Sequence, residues 1–222
     1  MCRRHEIVCE ESPVTDTEHP RQRPTKGERT RGHVIDAAAE LFSRSGYRAA
    51  SLRDIAAHAG LSHAGVLHHF PNKEALLIHV LSRRDEIDAP LVLDADLSHR
   101  ELIDNLVELV KRNTDSPGLV SLFVNLSAEA TDPTHPAHDY FFGRYRVLRE
   151  HLASAFATLL DGRPGITPEV AATQFIALQD GLQVQWLLDP GAVDMRAAVV
   201  SFLHTLGIPT SAPPPITDER PS

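Results

Sequence analysis

Histidine and cysteine are the residue types here with the widest choice of chemistry, thirteen of the first and two of the second. Acid–base catalysis, metal binding and nucleophilic attack are all open to them, and their spacing speaks against each. Six histidines fall between His33 and His79. His68 and His69 are adjacent and face different directions, while the position four beyond His63 is a leucine, so no pair of ligands lines up on one helix face. His135 and His138 lie near Asp132 and Asp139 in what reads as a solvated loop before a helix. Cys2 and Cys9 sit in a polar terminus, too far apart for a close zinc pair and too few for a disulfide framework, and read as reduced thiols. Ser62 beside His63 is a sequence adjacency, which is no substitute for a spatial triad. The expectation is a chain with no metal, no cofactor and no catalytic residue; a helical enzyme is the weaker alternative.

A different chemistry is written into residues 51–76, SLRDIAAHAGLSHAGVLHHFPNKEAL. Ser51 and Asp54 have the spacing of a capping box, so a helix starts there. It can run only to about His58, because Gly60 supplies the positive φ of a sharp turn and Ser62 can cap a second helix. Leu52, Ile55, Ala56, Leu61, Val66 and Phe70 would pack inward. That leaves His63, Ala64, Leu67 and His68 facing out, with Gly65 between them: short side chains that suit a helix entering a major groove about 12 Å wide. Arg48, Arg53, His69 and Lys73 flank this face as candidate phosphate contacts, with Ser51 and Ser62 at the two helix starts. Arg21, Arg23, Lys26, Arg29 and Arg31 form a basic arm upstream.

The charge distribution agrees. The chain of 222 residues carries a net charge of −8, yet residues 21–84 hold eleven Lys/Arg against five Asp/Glu. Attraction to a polyanion depends on local charge, so the basic block is the part expected to meet double-stranded DNA. The rest is acidic and expected to have a different partner.

The elements that would position these residues are helices throughout. No segment alternates as a half-buried strand does, so the fold class is all-α, with about nine helices. The first runs from about Glu28 to Ser45, stopped by Gly46; a long one follows from Lys73, and further ones from Ser98 to Asn113, from Pro117, from Pro136, from Thr167 to Asp189, and through Met195 to Leu206. Residues 1–25 read as a disordered arm, 26–72 as the helix-turn-helix domain, 73–208 as a ligand-binding and dimerisation domain, and 209–222 as a disordered tail. With 42% hydrophobic residues and no apolar run near the ~18 needed to span a bilayer, a cytoplasmic protein without membrane partner is expected.

Residues 28–80 resemble the DNA-binding domain of the tetracycline-repressor (TetR) family of bacterial regulators. The resemblance is carried by VIDAAAELFSRSGY, the SLRDIAAHAGLS turn and the closing HHFPNKEAL. Family members commonly have a phosphate-contacting Tyr where this chain has Leu67, which makes Leu67 a candidate for a thymine methyl instead. The resemblance implies a homodimeric regulator, a repressor by expectation, that leaves its palindromic operator when a small-molecule effector enters the second domain. An architectural DNA-binding protein without ligand is the alternative. Polar groups interleaved with apolar stripes suggest where an effector would sit: Phe123, Glu129, Phe141, Tyr145, Phe175, Gln179, Gln183 and Trp186 are the candidates, with Asn125, Arg144 and Gln174 also beside apolar faces. One recognition helix reads too few base pairs to be selective, so two chains must be held together. Leu178, Leu182, Val199, Phe202 and Leu203, on the last two long helices, are the expected dimer interface.

Overall fold

Helix starts are specified locally, by side chains that take up amides a first turn leaves unpaired. Thr25 and Glu28, Ser51 and Asp54, and Ser98 and Glu101 each form a complete capping box, and Ser62, Asn72, Thr167 and Asp194 cap through one oxygen. In the computed structural model, which describes residues 25–94, 96–160 and 165–211, the result is nine α-helices and no strand among the described residues. They are α1 (Lys26–Ser45), α2 (Leu52–His58), α3 (His63–His69), α4 (Lys73–Val92), α5 (His99–Thr114), α6 (Pro117–Glu129), α7 (His138–Leu159), α8 (Pro168–Leu188) and α9 (Met195–Thr205). Gly46 and Gly60, at φ of 80° and 65°, make the two turns that the sequence assigns to them.

Two apolar cores result. The first gathers Val34, Ala38 and Phe42 of α1, Ile55 and Ala56 of α2, Val66 of α3 and the neighbouring Phe70. It also takes Leu76, Leu77, Val80 and Leu81, so it extends into α4 past the expected boundary at residue 72. Leu122 and Leu126 of α6 and Phe141 of α7 close it from the other side. The second core is formed by α5, α8 and α9 with the later part of α7, around Ile103, Phe156, Phe175, Val199 and Leu203.

Thr25, placed by the sequence in the arm of 1–25, accepts the Glu28 amide at 3.2 Å and caps α1. At the other end the backbone N–H and hydroxyl of Ser211 donate to Asp104 at 2.8 and 2.6 Å, so the start of the expected tail is fastened to α5. The remainder of arm and tail, with Cys2, Cys9, Arg21 and Arg23, lies outside the described residues.

Three of the five residues expected at the dimer face are buried within the single chain, for one reason. Val199 and Leu203 are completely buried and Leu182 is 7% exposed within the single chain, because α8 and α9 turn these residues onto α5 and α7. Leu178 and Phe202 pack partly against the same core. The apolar side chains that α8 leaves uncovered are Val170, Val184 and Leu188, the last at 83% exposure.

Candidate nucleic-acid interface and ligand cavity

The helix-turn-helix is rigid where the sequence requires it to be. Ser51 Oγ accepts from the Asp54 amide at 3.2 Å, and Asp54 Oδ2 accepts from the Ser51 hydroxyl at 2.6 Å and from the Ser51 amide at 3.1 Å, which together hold the Asp54 carboxyl below its ordinary value. Leu61 N–H donates to the Ala56 carbonyl at 2.9 Å across the turn, and the Gly65 amide donates to Ser62 Oγ at 3.0 Å. Val66 and Phe70 point inward with no exposure, which fixes the rotation of α3. The residues presented outward are His63, Ala64, Leu67 and His68, with Gly65 and His69 half-buried. Leu67, at 39% exposure, stands clear of the core. Arg53 is exposed on α2, as is Arg48 in the preceding loop.

Two candidate phosphate contacts are engaged inside the protein. The Lys73 ammonium donates to the carbonyls of Tyr47, Ala50 and Arg48 at 3.0, 3.1 and 3.4 Å and lies 4.4 Å from the centre of the Tyr47 ring. Its three protons are therefore spent on the loop that joins α1 to α2, which α4 underlies; Lys73 holds Arg48 and Ser51 in place instead of reaching outward. Arg31, in the expected basic arm, points to His79 of α4 with Nη2 2.6 Å from Nε2, and covers the Phe70 ring. An arginine cannot accept, so His79 presents a neutral ring, and burial together with Arg31 lowers its pKa. Lys26 and Arg29 remain exposed.

A cavity of about 770 Å³ lies between the later part of α4, α6, α7 and α8, with Leu106, Leu109 and Asn113 of α5 at its edge. Of the residues expected at an effector site, Phe123, Phe141, Tyr145, Phe175, Gln179 and Gln183 line it. Glu129 and Trp186 do not. Glu129 is the last residue of α6 and faces the DNA-binding side, 3.5 Å from Arg48 and 3.5 Å from His135. Trp186 is carried round α8 into the second core, near Val110 of α5 and Met195 of α9. Of the other polar residues beside apolar faces, Arg144 lines the cavity, while Asn125 and Gln174 are exposed on the outside.

Sequence reasoning missed the charged part of the lining. Arg84, Asp85 and Asp88 come from α4 and Asp180 from α8. Arg84 Nε donates to Asp88 at 2.6 Å, its Nη2 donates to Asn113 at 2.8 Å, and Arg112 adds a second cation to Asp88 at 3.3 Å. Arg144 Nε donates to Asp85 at 3.0 Å with its guanidinium beside the Phe123 ring, and Tyr140 donates its hydroxyl to Asp85. Asp180 accepts from Tyr145 at 2.8 Å. Burial pushes the Tyr145 phenol up to about 12 and raises the Asp180 carboxyl above its ordinary value. The only available sequence signal was an Arg-Asp pair on the inner side of α4, and charges on a helix usually mark the solvent face.

No group of three or more potential metal ligands occurs among the described residues. His135 and His138, the candidate metal pair, serve the turn between α6 and α7: the His135 ring accepts the Ala137 amide at 3.2 Å and His138 Nδ1 lies 2.8 Å from the Ala130 carbonyl. No helix is long and apolar enough to cross a membrane among the described residues.

This arrangement, an exposed capped helix on one core and a lined cavity beside the other, has counterparts. The family model for bacterial regulatory proteins of the tetR family matches residues 34–80, and the model for the C-terminal part of BetI-type transcriptional repressors matches residues 99–207. The transcriptional repressor KstR2 of Rhodococcus jostii is 33% identical over 107 residues, so the match spans 48% of this chain and only 46% of that protein's own length. The transcriptional repressor Rv3405c of Mycobacterium tuberculosis is 32% identical over 154 residues, 65% of this chain and 78% of the relative. Among solved structures, one described as a transcriptional regulator of Saccharomonospora viridis in complex with choline superposes with a TM-score of 0.65 at 26% identity, covering 79% of this chain and 96% of that one.

Proposed function

Given that the chain belongs to the tetR family of bacterial regulatory proteins, we propose that it represses transcription from a palindromic operator as a homodimer and is released by a small organic effector. The observation that carries this reading is the pairing of two sites through one helix. The cavity wall includes Phe123, Ser127 and Ala128 of α6, and the same helix ends in Glu129 on Arg48, in the loop before the helix-turn-helix. A ligand that displaces α6 acts on the placement of the recognition helix, which is how differential contacts in two states become a change in DNA affinity.

In this reading His63, Ala64, Leu67 and His68 meet base edges, and Arg48, Arg53 and His69 meet phosphates. Ser51, Ser62, Gly65 and Lys73 hold the frame. The uncovered face of α8 around Val184 and Leu188 supports pairing with a second copy, which must keep two recognition helices one DNA turn, about 34 to 36 Å, apart. The choline held by the solved neighbour supports a small organic occupant of the cavity. The protein acts in the cytoplasm and carries no enzyme activity. Selection of bound sequences from random duplex DNA with the full-length protein tests the reading: recovery of a palindrome with two half-sites is expected, and recovery of no preferred sequence would overturn it.

A further inference from the structure

The charges that line the cavity do not cancel, and the remainder has a position. Arg84 is taken up by Asp88 and Asn113, and Arg144 by Asp85. Asp88 has Arg112 as well. Asp180 is the one lining carboxylate that no cation meets at ion-pair distance among the described residues; its hydrogen bond comes from a neutral phenol, Tyr145. Arg144 acts on it only through space. Beside it, Gln179 Oε1 is buried with no hydrogen-bond partner. Burying a carboxylate without a counter-ion is costly, and so is leaving an acceptor dry. Both costs fall in the same cavity, on adjacent residues of α8, and both would be relieved by one positive donor.

The rest of the lining fits an apolar carrier of such a group. Phe123, Phe141, Tyr145 and Phe175 are among the lining residues, Phe123 with the Arg144 guanidinium already over its ring, and the remaining wall is largely aliphatic, which suits an apolar body. A volume of about 770 Å³ is much larger than a bare ammonium needs and is in the range that holds a drug-sized molecule.

We infer that the effector is a cationic amphiphile, a single ammonium seated at Asp180 and Gln179 with a bulky apolar body along the aromatic wall. The inference rests on the reading of this cavity as the effector site and names the class of compound it takes. Anionic and neutral amphiphiles of the same length lack the charge that Asp180 selects, and an anion would meet an unpaired carboxylate.

Three probes with one tail and different heads test this: octylammonium, 1-octanol and octanoate, titrated calorimetrically into the full-length protein at neutral pH below their aggregation concentrations. The ammonium should bind about tenfold or more tightly than the alcohol, and octanoate most weakly. Asp180→Asn should erase the preference for the cation over octanol. Tyr145→Phe, which keeps the carboxylate, should retain the preference, so loss of preference in the first variant cannot be assigned to general damage to the cavity. Equal or tighter binding of octanol or octanoate, a preference that survives Asp180→Asn, or no binding by any of the three would overturn the inference. Operator release, read by gel shift with the same probes, separates it from the wider reading. Asp180-dependent binding without release keeps the ligand class and defeats effector control; release by octanoate alone keeps effector control and defeats the ligand class.

Discussion

A lysine and an aspartate show how far a residue's role departs from its type. Lys73 has the charge and placement of a phosphate contact, yet its ammonium lies on three carbonyls of one loop. Lys73→Ala should therefore weaken operator binding by loosening Arg48 and Ser51, while the dependence of log affinity on log salt stays as steep as in the parent protein. A slope shallower by about one, from gel shifts over a salt series, would show that Lys73 neutralises a phosphate directly. Asp180 makes a prediction with a pH sign. Its folded-state pKa is raised by burial, so the folded chain holds that proton more tightly than the unfolded chain does. The ionised form subtracts stability above the raised pKa, and the penalty fades as pH falls through it into the ordinary carboxylate range. Unliganded Asp180→Asn should melt above the parent protein at neutral pH, and the two melting curves should converge in acid.

Among the elements, those whose limits are set by local chemistry were legible in the sequence, and those whose orientation is set by packing were not. The Ser51–Asp54 box, the Gly60 turn and the Ser62 cap are local, and α2 and α3 begin and end where those residues put them. α8 is apolar on two faces, so its periodicity could not say which side meets its own chain. Trp186 and Leu182 consequently read as pocket and interface, and both lie in the core. The charged cavity wall on α4 was hidden for the converse reason, since Arg84 and Asp85 have the residue types of a solvent face. One contact between elements invites a direct test. At Gly118 near the start of α6, an added Cβ would come within 3.0 Å of both the Cβ and the carbonyl oxygen of Ser43 on α1. Gly118→Ala should destabilise the fold by ~1 to 3 kcal/mol, as overpacking does, and chemical denaturation would measure it.

At the scale of the whole molecule, burial separates two leucines that the sequence treats alike. Leu203 is completely buried, so Leu203→Glu should unfold the protein or make it insoluble. Leu188, 83% exposed, should accept Leu188→Glu with its helix content unchanged on circular dichroism. If the α8 face pairs two copies, the Leu188→Glu protein sediments as a monomer and loses its operator; a dimer that binds normally would move the interface elsewhere. The sharing of α6 between cores bears on cooperativity. Leu122 and Leu126 belong to the first core and Val120 to the second. A chain cut near Pro90 loses α6 and the Phe141 side of α7, and the first core is left open along one flank. Full-length protein should melt in one calorimetric transition, and the fragment ending at Pro90 should show little structure; two separated transitions would contradict this. The same feature limits modular engineering. A chimera that grafts another protein's DNA-reading head onto this effector sensor has its seam inside a hydrophobic core, so the head would have to arrive with its own version of the α6 face, and specificity and sensing would have to be exchanged together.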